Sequence, residues 1–310
     1  MSLAVFGTVS VDRVDLPGGD SKENILGGSG AYFAAAASFY GPTSLVAAVG
    51  GDWPSEHEAM LSAFDRLDLS AVDRRQESTT FAWGGKYLDN MDHRETIYTH
   101  LGVLEEAAPP VPPAVAGAQH VFLANMHPAM QVDVLQSFNE RSLAVADTMD
   151  LWIDVANDDL RAMIAAVDGL VLNHDEAEKF TGEKNPVTAG KKILELGPTF
   201  VVVKKGEHGC LFVERFGGEI GVGALPAFPA ERVVDPTGAG DSFAGGVMGY
   251  LANTSSEAPL DADRLRTALA HGTVMASFTI ETFSLERLSK LDTDQLATRY
   301  AEYASMLRIA

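Results

Sequence analysis

The chain has 310 residues, 46% of them hydrophobic and 21% charged, which is a balance typical of a globular protein with one large α/β core or two smaller ones. Its 43 acidic and 23 basic residues give a net charge of −20, which repels phosphate backbones and disfavours nucleic-acid binding. No apolar run reaches the roughly 20 residues of a membrane span, no basic segment typical of a signal peptide opens the chain, and the lone Cys210 excludes an internal disulfide, so we expect a cytoplasmic protein.

Apolar and amphipathic segments alternate along most of the chain. Continuous apolar runs predict buried strands, and amphipathic runs predict the helices between them. This alternation predicts an α/β fold in which a doubly wound, mostly parallel sheet is flanked by helices. The predicted strands are 3–9, 43–50, 120–126, 142–148, 168–176 and 199–206; the predicted helices are 56–67, 129–141, 158–167 and 186–197, and 261–310 is helical by period.

Two stretches, 12–28 and 78–102, interrupt this alternation. The second alternates polar and apolar residues on both sides of a turn rich in Gly, Asn and Asp, which predicts an antiparallel hairpin. We therefore predict a single domain, 1–310, with a small antiparallel β lid built from about 12–26 and 78–102. An open lid edge is a natural pairing surface, so a homodimer through the lid is expected.

The stretch VVDPTGAGDSFAGGVMGYLA at 233–252 contains a glycine loop followed by an acid. Val233 and Val234 are predicted to end a strand, and a helix is predicted from about Asp241. The loop 238–240 lets backbone N–H groups approach an anion at the positive end of that helix. Three glycines in the predicted helix, Gly245, Gly246 and Gly249, predict close packing of the helix onto the sheet.

The acid at the end of the loop, Asp241, indicates the chemistry. A carboxylate beside an anion site would repel a resting phosphate, so the arrangement is useful only if a hydroxyl lies between them. Asp241 would then accept the hydroxyl proton while the loop stabilises the charge of the transferring phosphoryl group. The alternative is that Asp241 is an ordinary helix cap.

Residues 235–243, DPTGAGDSF, resemble the C-terminal signature of the pfkB (ribokinase-like) carbohydrate and nucleoside kinases. The resemblance spans nearly the whole chain, because four further segments match in the right order. It implies a ribokinase-like fold and transfer of the γ-phosphoryl group of ATP, with Mg²⁺, to a hydroxyl of a small molecule. The matching segments are GTVSVD (7–12), GGSGAYFAAAASFYG (27–41), NHDE (173–176) and VVVKKGEHG (201–209).

The resemblance also implies roles for individual residues. Asp241 is the base, Glu176 acts on Mg²⁺ through water, and Asp235 and Thr237 lend oxygens to a monovalent cation such as K⁺. The anion hole is Gly238, Ala239 and Gly240; the substrate residues are Ser10, Asp12, Gly27, Gly28 and Tyr32; the nucleotide residues are Asn173, Lys204, Gly206, His271 and Gly272. Asn173 with Glu176 also fits a helix capping box, and His271 also fits a packed surface residue.

Departures from the family pattern leave the substrate open. Tyr32 and Ser10 stand where sugar kinases often carry Asn, Lys204-Lys205 replaces a common Thr-Leu, and DTMD at 147–150 replaces an Asp-Pro-Asn pattern. The first hypothesis is a small-sugar kinase.

Two alternatives remain. One is an adenosine-type nucleoside kinase of the same fold, in which Phe81, Trp83 or Tyr87 of the lid stacks on the base. The other is a catalytically silent protein that binds a sugar or nucleotide. The presence of Asp241 and Glu176 argues against the silent protein, since it has no need of a base.

Overall fold

A large sheet with a parallel centre organises the computed structural model, which describes residues 2–88, 91, 94–254 and 259–308. In chain order the strands are β1 (Leu3–Phe6), β2 (Ser10–Asp15), β3 (Ser21–Gly27), β4 (Thr43–Gly50), β5 (Leu67–Asp68), β6 (Val72–Arg75), β7 (Ala82–Tyr87), β8 (Arg94–His100), β9 (His120–Leu123), β10 (Leu143–Asp147), β11 (Gly169–Asn173), β12 (Phe200–Lys204), β13 (Cys210–Glu214) and β14 (Gly221–Leu225).

The large sheet has the spatial order β14-β13-β12-β11-β10-β9-β1-β4-β5, and β6 also pairs with β4. Every pairing from β5 to β12 is parallel, whereas β13 and β14 continue the sheet antiparallel. The prediction of a doubly wound, mostly parallel sheet is thus confirmed. The chain leaves β1 toward β4 on one side and reaches β9 on the other, so a crevice opens at the carboxyl end of β1.

Helices cover both faces of this sheet. One buried apolar cluster contains residues of α1, α9, α10 and α11, and a second contains residues of α4, α6, α7 and α8. None of the described helices is long and apolar enough to cross a membrane. The helices are α1 (Ser29–Ser38), α2 (Ser55–Ser62), α3 (Pro113–Ala116), α4 (Pro128–Leu135), α5 (Asp150–Val155), α6 (Asn157–Ala166), α7 (His174–Thr181), α8 (Pro186–Leu194), α9 (Ala239–Asn253), α10 (Ala262–Thr279) and α11 (Thr293–Met306).

The glycines of α9 pack against neighbouring helices, and the prediction that they pack onto the sheet is wrong. A Cβ on Gly245 would collide with the Phe33 carbonyl of α1, and one on Gly246 would lie 2.9 Å from the Cα of Gly272 in α10. Helix α9 is therefore held closely between α1 and α10. This packing fixes its N-terminus above the carboxyl end of the sheet.

The segment before α9 is irregular, so the prediction that Val233 and Val234 end a strand is also wrong. The N–H groups of Val234 and Asp235 donate to the carbonyl of Ile280 instead of to a neighbouring strand. Helix α9 begins at Ala239, two residues earlier than predicted.

A separate small sheet has the order β3-β2-β7-β8. The hairpin predicted at 78–102 is present as the antiparallel pair β7 and β8; residues 89, 90, 92 and 93 of its turn lie outside the described residues. Strands β2 and β3 form a second antiparallel hairpin, and a parallel pairing of β2 with β7 joins the two. The Tyr87 hydroxyl lies 3.0 Å from Oγ1 of Thr237, which connects this sheet to the loop before α9.

Candidate active site

The glycine loop lies at the N-terminus of α9, where the first N–H groups of a helix have no partner within the helix. Gly238 has φ +76°, and a Cβ there would collide with the ring of Tyr32. A Cβ on Gly240 would lie 2.7 Å from Nζ of Lys204. Glycine is needed at 238 for both conformation and space, and the N–H of Ala239 donates to the carbonyl of Pro236 at 3.1 Å.

Asp241 is the third residue of α9 and is half-buried. The N-cap is Gly238, whose position carries no side-chain cap bond, so Asp241 does not serve as the helix cap. Burial raises the pKa of Asp241, and the positive charges of Lys204 and Arg94 lower it. Asp241 therefore lies in the first turn of α9, partly buried and near two cations.

Two further acids lie around Lys204 near the loop. Asp147 ends β10, is 4% exposed, and its Oδ1 has no hydrogen-bond partner among the described residues. Glu176 belongs to a capping box: its carboxylate accepts from the N–H of Asn173, whose side chain accepts from the N–H of Glu176. Burial raises the pKa of both acids, and the charge of Lys204 lowers it. The capping-box alternative for Asn173 and Glu176 is confirmed, and one Glu176 oxygen stays free of it.

These acids fit a hydrated Mg²⁺ ion. The unpartnered oxygen of Asp147 and the second oxygen of Glu176 are the hard oxygen donors that Mg²⁺ prefers. No three acidic, histidine or cysteine side chains in the described ranges come close enough together to chelate a metal directly.

The acceptor side of the site centres on Asp12 of β2. A Cβ on Gly27 would collide with the Asp12 carboxylate. Gly28 has φ +99°, and a Cβ on it would collide with the Thr8 carbonyl. Asp12 is 4% exposed, and its Oδ1 has no hydrogen-bond partner among the described residues. Burial, with a contribution from Asp235, raises the pKa of Asp12 to about 7. Gly27 therefore makes room for the Asp12 carboxyl group, and Gly28 lets the backbone pass close to Thr8.

Tyr32 joins the acceptor side to the glycine loop. Its ring is 1% exposed and packs directly on Gly238, and its hydroxyl has no hydrogen-bond partner in the described part of the chain. The hydroxyl of Ser10 is also buried and lies beside the Asp12 carboxyl, whose pKa it lowers. Burial, then the charges of Asp235 and Asp12, raises the pKa of Tyr32 well above its usual value. Tyr32 therefore enters the site as a neutral hydroxyl.

Asp235 lies behind the loop and is fully buried. Its Oδ1 accepts from the N–H of Thr237, while Oδ2 has no partner among the described residues. Burial raises the pKa of Asp235, and the Thr237 bonds lower it. A buried carboxylate oxygen without a partner is a suitable ligand for a cation.

The predicted nucleotide residues divide into two places. Lys204 ends β12 and lies against Gly240 of the loop, and Gly206, at φ +54°, follows β12. His271 lies in helix packing: its ring is stacked between those of Tyr250 and Tyr300, with centroids 4.5 and 4.0 Å away. Both faces of His271 are covered, so no base can stack on it, and the packed alternative describes its place. Burial lowers its pKa to about 4.

Gly272 also belongs to that packing, because a Cβ there would lie 2.6 Å from the Phe243 carbonyl of α9. Asp147 and Arg94 were not predicted as site residues. Asp147 could have been found as the acid that ends a buried strand. Arg94 could be predicted only as a cation somewhere in the hairpin. Its pairing with Tyr87 depends on the strand register, which the sequence does not give.

Comparison with known proteins identifies the family. The model of the pfkB family of carbohydrate kinases matches residues 2–290. The chain belongs to the pfkB family. It is therefore a phosphotransferase with a hydroxyl acceptor, a sugar or nucleoside kinase, and membership of a kinase family implies ATP as the donor.

Two curated relatives of this pfkB kinase span most of its length. It is 29% identical over 265 residues to a cytidine kinase of Thermococcus kodakarensis, covering 84% of this chain and 91% of the relative. It is 29% identical over 267 residues to a nucleoside kinase of Methanothermobacter thermautotrophicus, covering 83% and 79%. The solved nucleoside kinase of Methanocaldococcus jannaschii, 20% identical, shares the fold with a TM-score of 0.76 over 97% of this chain and 98% of that one.

Proposed function

We propose that this pfkB kinase phosphorylates a hydroxyl of a nucleoside. The observation that carries the proposal is the position of Trp83 in the small sheet. Trp83 lies directly opposite Asp12 in the β2–β7 register, and residues opposite one another share a face of a sheet. Tyr87, four residues along the same strand, also shares that face and contacts Thr237 at the loop. Trp83 therefore faces the acceptor site beside Asp12.

The indole ring of Trp83 lies flat along its own strand, over Gly85. A Cβ on Gly85 would collide with it, so glycine lets the ring lie along the strand. The Arg94 guanidinium is 5.5 Å from the ring centroid, and the indole N–H donates to Oγ1 of Thr96 at 3.4 Å. A planar base would stack on this half-buried ring by taking the place of the Arg94 guanidinium over its face, while Asp12 accepts hydrogen bonds from the ribose hydroxyls. The two nucleoside kinases among the long relatives support the same acceptor class.

The chemistry follows from the residues around the loop. ATP with Mg²⁺ would supply the phosphoryl group, and Glu176 and Asp147 would hold the hydrated ion. Asp12 and Tyr32 orient the acceptor, and Asp241 takes the proton from its hydroxyl. The N–H groups of Gly238–Gly240 then receive the negative charge of the transferring group. Asp235 and Thr237 would hold a K⁺ ion that orders the loop from behind.

A free sugar is the second candidate, because the Tyr32 ring leaves less space for a large acceptor. The buried Tyr32 ring occupies space between Asp12 and the loop, and a smaller acceptor needs less room there. The two candidates differ in their dependence on Trp83, since a free sugar has no base to stack.

The test is a panel of nucleosides and free sugars with ATP and Mg²⁺, read by ADP release. We expect cytidine or another nucleoside to be turned over faster than any sugar. Trp83→Ala should cut nucleoside kcat/KM about ten- to a hundredfold and leave sugar turnover unchanged. Tyr98→Ala is the matched control, because Tyr98 pairs with Gly84 and so lies on the opposite face. Faster turnover of a sugar would overturn the nucleoside assignment and leave the kinase assignment in place.

Homodimerisation through the small sheet and a cytoplasmic location belong to the same proposal. Strand β8 is an outer strand of that sheet, and Ile97 on it is 48% exposed, so a second copy could cover it. Light scattering at micromolar concentration should give the mass of a dimer; a monomer mass would overturn the dimer.

A further inference from the structure

Lys204 extends from the large sheet to the glycine loop. It ends β12, and its ammonium lies against the backbone of Gly240, 2.7 Å from the point where a Cβ on that glycine would sit. Among the described residues, no carboxylate forms an ion pair with Lys204 within 4.0 Å. A half-buried cation without a contacting counter-ion thus lies beside the loop that receives the phosphoryl group.

The helix N-terminus disfavours the Lys204 ammonium at this position, and nearby acids offset that effect. The N-terminus of α9 carries partial positive charge, which an ammonium at Gly240 does not favour. Three acids around it, Asp147, Glu176 and Asp241, supply the opposing charge, and Lys204 lowers the pKa of each. The ammonium is therefore stabilised by acids that form no ion pair with it among the described residues, so its N–H groups can bind a ligand.

The same three acids would repel an incoming nucleotide triphosphate, as would the net charge of −20. The cations that act on Asp241 are Lys204 of the large sheet and Arg94 of the small sheet. Lys204 is the one that lies against the loop itself. A neutral Thr, the residue common in this family at that position, could not supply this charge.

Resting on the proposed phosphoryl transfer, we infer that the Lys204 ammonium binds the terminal phosphate of ATP and stays with that group as it transfers. The acceptor O–P bond forms while the bond between the terminal phosphorus and ADP breaks, and the acceptor proton passes to Asp241. Lys204 keeps its proton throughout and only changes its hydrogen-bond partners. Charged hydrogen bonds of this kind are among the stronger ones in proteins.

The experiment measures ATP and ADP affinities by calorimetry without acceptor. Lys204→Met should lower ATP affinity about ten- to a hundredfold relative to ADP, because ADP lacks the phosphate that Lys204 contacts. Lys204→Arg should recover part of the preference for ATP. Lys205→Met, next along the chain, is the matched control and should leave the ATP-to-ADP ratio unchanged.

A second readout separates this role from a structural one. In Lys204→Met, the acidic limb of the plot of kcat against pH should move to higher pH, because the Lys204 charge lowers the pKa of Asp241 in the wild type. Equal losses of ATP and ADP affinity with an unmoved pH limb would overturn the inference. If Lys204→Met does not fold, Lys204→Gln is judged by the same two readouts. Failure of the nucleoside assignment is seen separately, as wild-type turnover of another acceptor.

Discussion

The two ends of the cleft differ in burial and in charge. At the acceptor end, Asp12 and Tyr32 are buried and close to the equally buried Asp235. At the nucleotide end, Asn173 and Gly206 are exposed, and Lys204 brings a half-buried positive charge to the loop. The acceptor end is thus closed and acidic, whereas the nucleotide end has exposed residues and combines its buried acids, Asp147 and Glu176, with a cation.

This difference separates selectivity from chemistry. A buried pocket selects its ligand by shape and by hydroxyl pairing, because any polar group left unpaired there is costly. An open end that receives phosphates needs backbone N–H groups and charge, which depend less on shape. The predictions below would break this division if effects at one end also appeared at the other.

The largest effect is expected from Asp241→Asn, which acts between the two ends. The amide cannot accept the acceptor proton, so turnover should fall about 10²- to 10⁴-fold. ATP affinity and the circular dichroism spectrum serve as controls and should remain close to those of the wild type. Near-normal turnover in the purified variant would remove Asp241 from the role of base.

Gly27→Ala should damage the acceptor end alone. Its methyl group would collide with the Asp12 carboxylate, so the acceptor KM should rise about ten- to a hundredfold while the ATP KM stays within about twofold. Gly117→Ala is the control, since a Cβ there meets nothing within 4 Å. Equal changes in both KM values would mean that the two ends are not independent.

Asp12→Asn should stabilise the ligand-free protein at neutral pH. The folded-state pKa of about 7 exceeds the ordinary 3.8, so the wild type loses stability as the pH rises from about 4 to 7, and the loss is complete above 7. The difference in unfolding free energy between Asp12→Asn and the wild type should widen by about 1.4 kcal/mol per pH unit in that window and then stay constant. Urea unfolding at pH 5, 6, 7 and 8 checks this; a gap that does not change with pH would contradict it.

The smallest effect is expected from the monovalent cation. K⁺ held by Asp235 and Thr237 would order the loop without touching substrate, so replacing Na⁺ by K⁺ at constant ionic strength should raise activity only a few-fold. Asp235→Asn should abolish the response. Equal activity of the wild type in both salts would exclude the site.

Much of the fold and of the loop could be predicted from sequence because the signals are local. Apolar runs mark the parallel strands, and the glycines before Asp241 mark the start of α9. Contacts between distant elements carry no such signal. The sequence could not show that Tyr250 and Tyr300 enclose His271, or that Gly245 meets α1 and not the sheet.

Residues that strand pairing brings to the site were also missed, because the sequence gives no signal for contacts between distant elements. Arg94 reaches the site because β8 pairs with β7, and Asp147 because β10 lies between β9 and β11. The capping box at Asn173 and Glu176 could be predicted, since its residues are three apart in sequence. Predictability therefore decreases from motifs that are contiguous in sequence toward residues that only the pairing and packing of distant elements bring to the site.

The most direct test of the account is a competition in one reaction of the wild-type enzyme. Equal concentrations of cytidine, adenosine and ribose are mixed with limiting ATP and Mg²⁺, and the phosphorylated products are quantified by mass spectrometry, which gives the ratio of their kcat/KM values. Stacking on Trp83 predicts that one of the nucleosides exceeds ribose by at least about tenfold. Phosphorylated ribose as the main product would contradict the assignment of a nucleoside as the substrate.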